Sequence, residues 1–243
     1  MRKIFFLTLF LLFIQAACAG RSAVPASLPE TVAATSTPQA VPSPPSIATA
    51  VFAPTPTALE NVFYVATSGN DDVGDGSIEA PWATITHAVE TVPDGSSILV
   101  LTGTYTGRVN LRRTFEIGIT IASAVPYQAR LRHFESVVTC YFCQAVTLEG
   151  FDIAHLESDA DRYVIQIQDS SDDRSGGRRV TLRNNILHDS YNNDILKINN
   201  GADQVLVEGN IFYIEAVPDI HIYINSATNV TVQDNIFFND FEG

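Results

Sequence analysis

Four stretches of the chain carry one eight-residue pattern: Val146-Thr-Leu-Glu-Gly-Phe-Asp-Ile153, Val180-Thr-Leu-Arg-Asn-Asn-Ile-Leu187, Val205-Leu-Val-Glu-Gly-Asn-Ile-Phe212 and Val230-Thr-Val-Gln-Asp-Asn-Ile-Phe237. The last three begin at even intervals, and the gap between the first two is longer. Apolar residues at the first and third positions alternate with polar ones, which marks a short strand burying one face. Gly, Asn or Asp at the fifth position permits a sharp bend. Asn185, Asn210 and Asn235 at the sixth would then stack, their amides hydrogen-bonding along a column as in cross-β arrays. Leu187, Phe212 and Phe237 follow as the next inward stack. The longer first gap contains Asp169-Ser-Ser-Asp-Asp-Arg-Ser-Gly-Gly177, which reads as an inserted surface loop.

One such repeat cannot bury its own face. Repeats stacked about 4.8 Å apart can, as parallel strands around a continuous core. A further strand in each repeat is expected within 163–168, 194–198 and 219–224. This pattern resembles the parallel β-helix repeat of the pectate-lyase-like superfamily. The resemblance implies an all-β, right-handed parallel β-helix of about five coils. Upstream, residues 62–76, 80–92 and 94–105 are similar to the strand, acidic glycine loop and short helix that form the N-terminal cap of many secreted β-helices. Ile85, Ala88, Val89 and Val92 share one helical face, in agreement. Asp71, Asp72 and Asp75 do not have the spacing of an EF-hand and read as a solvated turn.

Met1-Arg2-Lys3 precedes an apolar run from Ile4 to Ile14 that is too short to span a bilayer, so residues 1–19 read as a signal peptide. Cys18 makes it resemble a bacterial lipoprotein signal, which implies lipidation there; the alternative is cleavage after Ala19. Residues 20–60 are rich in Pro, Ala, Ser and Thr and read as an extended, disordered tether. The β-helix domain is then 61–243. No closing element is visible by Gly243, so either a fragment or an open last coil is expected.

A net charge of −13 argues against nucleic acid and anionic membrane as partners. The expected molecule is an exported monomer at the cell envelope, lipid-anchored or secreted, touching membrane only through its anchor. Cys140 and Cys143 form a C-x-x-C pair outside any helical pattern and read as buried thiols or a local disulfide.

Stacking puts outward residues into columns, so chemistry is sought one coil above another. The superfamily's lyases use Lys or Arg to take the proton α to a uronate carboxyl, with acidic residues holding Ca2+ against that carboxylate. By resemblance Lys197, the sole lysine after the signal, is the candidate base. Asp194 and Asp219 are the candidate calcium pair, and His221 would assist on substrate. Arg183 and Glu208, in a column ending at Gln233, are further candidate polysaccharide contacts. The step that relates Val205 to Val230 places Lys197 over aliphatic Ile222, where a lyase would carry arginine, so the site is incomplete for a lyase. Leu196 and Ile198 also set a different inward parity from Ile220, Ile222 and Ile224, which calls for a bulge or slip. Asp152, His155, Glu157, Asp159 and Asp161 read as a hydrated turn. The expectation is a polysaccharide-binding β-helix; an active calcium-dependent lyase and a structural or adhesion module are the alternatives.

Overall fold

The computed structural model describes residues 61–156, 162–169, 177–191, 194–214 and 220–239. Cys18, the segment 20–60, Glu157, Asp159, Asp161 and Asp219 lie outside the described residues. The domain opens with β1 (Val62–Val65) and helix α1 (Ile85–Thr91). Successive coils follow. They are β2 (Ser97–Val100), β3 (Gly103–Thr106) and β4 (Val109–Leu111); then β5 (Thr114–Ser123), β6 (Ala129–His133) and β7 (Val138–Tyr141). Next come β8 (Gln144–Glu149), β9 (Asp152–His155) and β10 (Ile165–Gln168), and then β11 (Arg178–Arg183), β12 (Ile186–His188) and β13 (Leu196–Asn199). The last are β14 (Asp203–Glu208), β15 (Ile211–Ile214) and β16 (Ile222–Asn225), with β17 (Thr228–Gln233) and β18 (Ile236–Asn239) beginning one more turn.

Among the described residues these strands make three parallel sheets: seven-stranded β1-β2-β5-β8-β11-β14-β17, six-stranded β3-β6-β9-β12-β15-β18 and five-stranded β4-β7-β10-β13-β16. This is a parallel β-helix of about five turns. No helix among the described residues is long and apolar enough to cross a membrane.

The repeat does what its pattern requires. Val146, Val180, Val205 and Val230 stand in one register column. Beside it run Ile121, Leu148, Leu182 and Val207, all buried. Leu131, Ile153, Leu187 and Phe212 form the matching column of the six-stranded sheet. Truncating such a side chain leaves a cavity that stacked neighbours cannot close, at a cost of about 2–5 kcal/mol.

The corner between these sheets is held by the asparagines. Asn210 Oδ1 accepts from Asn185 N and Nδ2 at 2.9 and 3.0 Å, and Asn235 Oδ1 accepts the same pair from Asn210. At the other end Asn185 Oδ1 accepts from Phe151 N, so the ladder reaches a coil that lacks the asparagine. The preceding Gly150, Asn184, Gly209 and Asp234 all have φ between 54 and 74°, the left-handed bend that Gly and Asn tolerate best. Asn185 and Asn210 are wholly buried, so the ladder also satisfies polar groups that the core would otherwise penalise.

At the start, Asp71 accepts from Ala83 N, Thr84 N and Thr84 Oγ1, tying the acidic loop to the beginning of α1. Ile85, Ala88, Val89 and Val92 are buried together. Cys140 and Cys143 are joined as a disulfide at the corner after β7.

One expectation about the five-stranded sheet needs correcting, and a second is met. The step that pairs Val205 with Val230 would pair Leu196 with His221, but Leu196 faces Ile222, the next residue along. An added residue precedes β16, and the corner after it is correspondingly shorter: Asn199 leads to Asp203 through Asn200, Gly201 and Ala202, Asn225 to Thr228 through Ser226 and Ala227 only. The frame is therefore restored by β17. Lys197 consequently stands opposite Tyr223 and not over Ile222. That one-residue shift is the slip that the strand parity called for: through it Leu196 and Ile198 stand opposite Ile222 and Ile224.

Candidate functional site

Alternation turns one column of the five-stranded sheet outward: Asn110, Thr139, Gln166, Lys197 and Tyr223 face one another in register. A second outward column holds Tyr141, Gln168, Asn199 and Asn225. The longest connections of the central coil, 156–164 and 169–177, leave from either end of β10 in this sheet.

Hydrogen bonds run along this face. Thr139 Oγ1 donates to Asn110 Oδ1 at 3.0 Å, Tyr141 Oη to Gln166 Oε1 at 2.6 Å, and Gln166 Nε2 to Gln168 Oε1 at 2.9 Å. Thr139, Gln166 and Asn199 are buried although they point away from the core. Among the described residues Asn199 Oδ1 and Ser136 Oγ have no hydrogen-bond partner, and neither has Asp189 Oδ1 on the six-stranded sheet. A buried polar atom left unpaired costs about 1–3 kcal/mol.

Lys197 lies at the centre of this face. Its Nζ donates to Tyr163 Oη at 2.5 Å and sits 4.2 Å from the Tyr163 ring centroid and 5.0 Å from that of Tyr223. Two ring faces and a phenol oxygen thus surround the amine. Burial raises the pKa of the nearby Tyr141 phenol, while Arg108, Arg162 and Arg112 are close enough to pull it the other way. Three arginines thus lie within electrostatic reach of this face, Arg108 among them as an ion pair with Glu135.

The other residues singled out in the sequence lie apart. Arg183 and Glu208 are on the seven-stranded sheet, in the expected column from Glu149 through to Gln233. Arg183 pairs with Glu149 at 2.7 Å, and Gln233 Nε2 donates to Glu208 Oε2 at 3.0 Å. His221 precedes β16 and packs edge-on against Phe237, with its Nε2 3.4 Å from the Phe238 carbonyl. Asp194 is buried just before β13, and its expected partner Asp219 lies outside the described residues. Among the described residues no group of three or more His, Cys, Asp and Glu is placed to hold a metal ion.

A second charged cluster, missed in the sequence, lies outward on the six-stranded sheet. Asp152 Oδ1 is 2.5 Å from Arg132 and 3.0 Å from His188 Nε2, while His188 Nδ1 is 2.7 Å from Asp189 Oδ2. Asp152 is thus a strand residue held by two partners, not part of a hydrated turn. Burial alone would lower the His188 pKa, but its bonds to Asp152 and Asp189 hold it above the usual 6.5. Burial alone would raise that of Asp152, and the bonds from His188 and Arg132 outweigh it downward. His188 stacks on Tyr213 at 4.6 Å and Tyr213 on Phe238 at 5.2 Å, so their ring faces are mostly occupied by each other.

No family model matches the chain, and no curated protein matches it in sequence. Solved structures do match in fold. A GH136 lacto-N-biosidase from Eubacterium ramulus aligns at 13% identity and a TM-score of 0.55, covering 72% of this chain and 41% of that one. A pectin methylesterase in complex with a hexasaccharide aligns at 12% identity and a TM-score of 0.46, covering 76% of this chain and 68% of that one. The chain thus spans about two-fifths of the length of the lacto-N-biosidase it matches. What it shares with the lacto-N-biosidase is the parallel β-helix fold.

Proposed function

We propose that the domain binds polysaccharide along the outward face of the five-stranded sheet, and that it prefers an acidic one. The observation that carries this reading is Lys197, set against the rings of Tyr163 and Tyr223 at the centre of a column of amides and hydroxyls. Amides and hydroxyls exchange hydrogen bonds with sugar hydroxyls, and Lys197 with the neighbouring arginines supplies charge for a carboxylate. The fold match to a lacto-N-biosidase supports a carbohydrate partner. A lyase would set an arginine beside such a lysine in the next coil, whereas Tyr223 stands opposite Lys197 here, so binding is preferred over lyase action.

The test is calorimetric titration with polygalacturonate, alginate and a neutral glucan, each with and without calcium. Acidic polymers should bind, more weakly as salt rises, and Lys197→Ala should weaken them. Ultraviolet-absorbing unsaturated ends in the same samples would establish a lyase instead, with calcium dependence reporting the metal. If no glycan binds and none is cleaved, the domain is a structural module.

Export belongs to the same proposal. A bridged Cys140–Cys143 pair supports an oxidising compartment. Cys18→Ala should block acylation and leave unlipidated precursor. A mature protein starting at Gly20 without an acyl chain would leave secretion without an anchor.

A further inference from the structure

The outward column has a closed end. β4 is the edge strand of the five-stranded sheet, and α1 lies against it. Thr86 of α1 accepts from Asn110 N at 3.0 Å, occupying a position where a further strand would pair. A linear polymer following the column towards β4 therefore meets α1 and cannot continue.

At that point the surface opens into a cleft of about 420 Å³, lined by residues that include Thr67, Thr84, Thr104, Thr106, Arg108 and Asn110. Its size falls within the roughly 300–1,000 Å³ range of small-molecule sites. Asn110 belongs to both cleft and column, and its Oδ1 accepts from Thr139 one coil along. The lining is rich in hydroxyls. Thr67, Thr84, Thr104 and Thr106 are exposed at its surface, while Arg108 is ion-paired with Glu135 and donates to Ser136 O. The cleft therefore suits the neutral hydroxyls of a sugar, in contrast to the cationic face it adjoins.

We infer that this cleft receives the terminal sugar of the chain lying on the five-stranded sheet, so that the protein recognises polysaccharide ends. This inference rests on the polysaccharide-binding reading and adds a direction to it. A side-on binder would load more copies onto longer chains. An end binder loads one per chain whatever the length.

The experiment is titration of the whole protein with size-fractionated oligo- and polygalacturonate, with stoichiometry expressed per chain. A constant value of one across the series is expected. A value that rises in proportion to chain length would overturn end recognition while leaving polysaccharide binding intact. No binding at any length would remove the underlying reading as well. Thr106→Trp and, independently, Thr104→Trp fill the cleft from exposed positions and should weaken short oligosaccharides at least tenfold. Unchanged affinity in both variants would exclude the cleft as the terminal subsite.

Discussion

The outward faces of the five- and six-stranded sheets are built from the same alternation, yet they spend their polar residues differently. On the six-stranded sheet Arg132, Asp152, His188 and Asp189 pair with one another, and the aromatic rings beyond them stack among themselves. On the five-stranded sheet the central cation lies against phenol rings. Among the described residues each face keeps a buried oxygen without a hydrogen-bond partner, Asp189 Oδ1 on the first and Asn199 Oδ1 on the second, so that feature does not separate them. The lesson is that a dense charge cluster is not by itself a sign of function. Charges that neutralise each other stabilise the fold, whereas a cation set against phenol rings is placed for an acidic ligand.

The contrast can be broken most sharply at Asp152. Asp152→Ala strands Arg132 and His188 in a largely buried place, so chemical denaturation should show a loss of about 3 kcal/mol. Polysaccharide affinity, measured at a temperature where the variant is folded, should not change; a parallel loss of affinity would merge the two faces into one site. Lys197→Ala should do the reverse. Affinity for acidic polysaccharide should drop by about tenfold or more, equivalent to about 1.4 kcal/mol, with stability moving by no more than about 0.5 kcal/mol.

A third difference lies in pH. The His188 pKa is raised by its carboxylate partners, so its contribution to stability is present below 6.5 and is lost as pH rises through the folded-state value. The Asp152 pKa is lowered, so its contribution is present above 3.8 and is lost as pH falls through its folded-state value. The cluster should therefore stabilise most between 3.8 and 6.5, and His188→Phe should flatten the alkaline side of a melting-temperature profile. An unchanged slope in that variant would show that His188 is not charged in the fold. The smallest effect is expected on the seven-stranded sheet. Glu208→Ala, in a partly exposed polar column, should change stability by about 0.5 kcal/mol at most and leave glycan binding alone. A clear loss of binding would extend the site around the molecule.

These contrasts follow how legible each face was. The seven-stranded face and the asparagine corner could be read because their repeat is local: in the last three repeats valine, bend and asparagine lie close together and recur at a constant interval. Lys197 could be found as a lone lysine, but its neighbours could not. Tyr163 and Tyr223 reach it across coils whose corners differ in length, and one added residue before β16 moves Tyr223 into the place that a uniform step gives to Ile222. The Arg132–Asp152–His188 cluster was hidden for a related reason. Arg132 and His188 lie 20 and 36 residues from Asp152, and β6 belongs to a coil that lacks the repeat pattern.

The compensated step before and after β16 also bears on how such a chain changes length. One residue gained at one corner is returned at the next, and the strands beyond stay in frame. Corners thus tolerate insertion, whereas the asparagine ladder fixes the period of the neighbouring sheet. Each whole coil adds one rung to every column, so the domain behaves as a ruler with indivisible graduations. Selection for a longer or shorter glycan contact would act by duplicating or deleting complete coils, with side-chain substitution left to set what each rung reads.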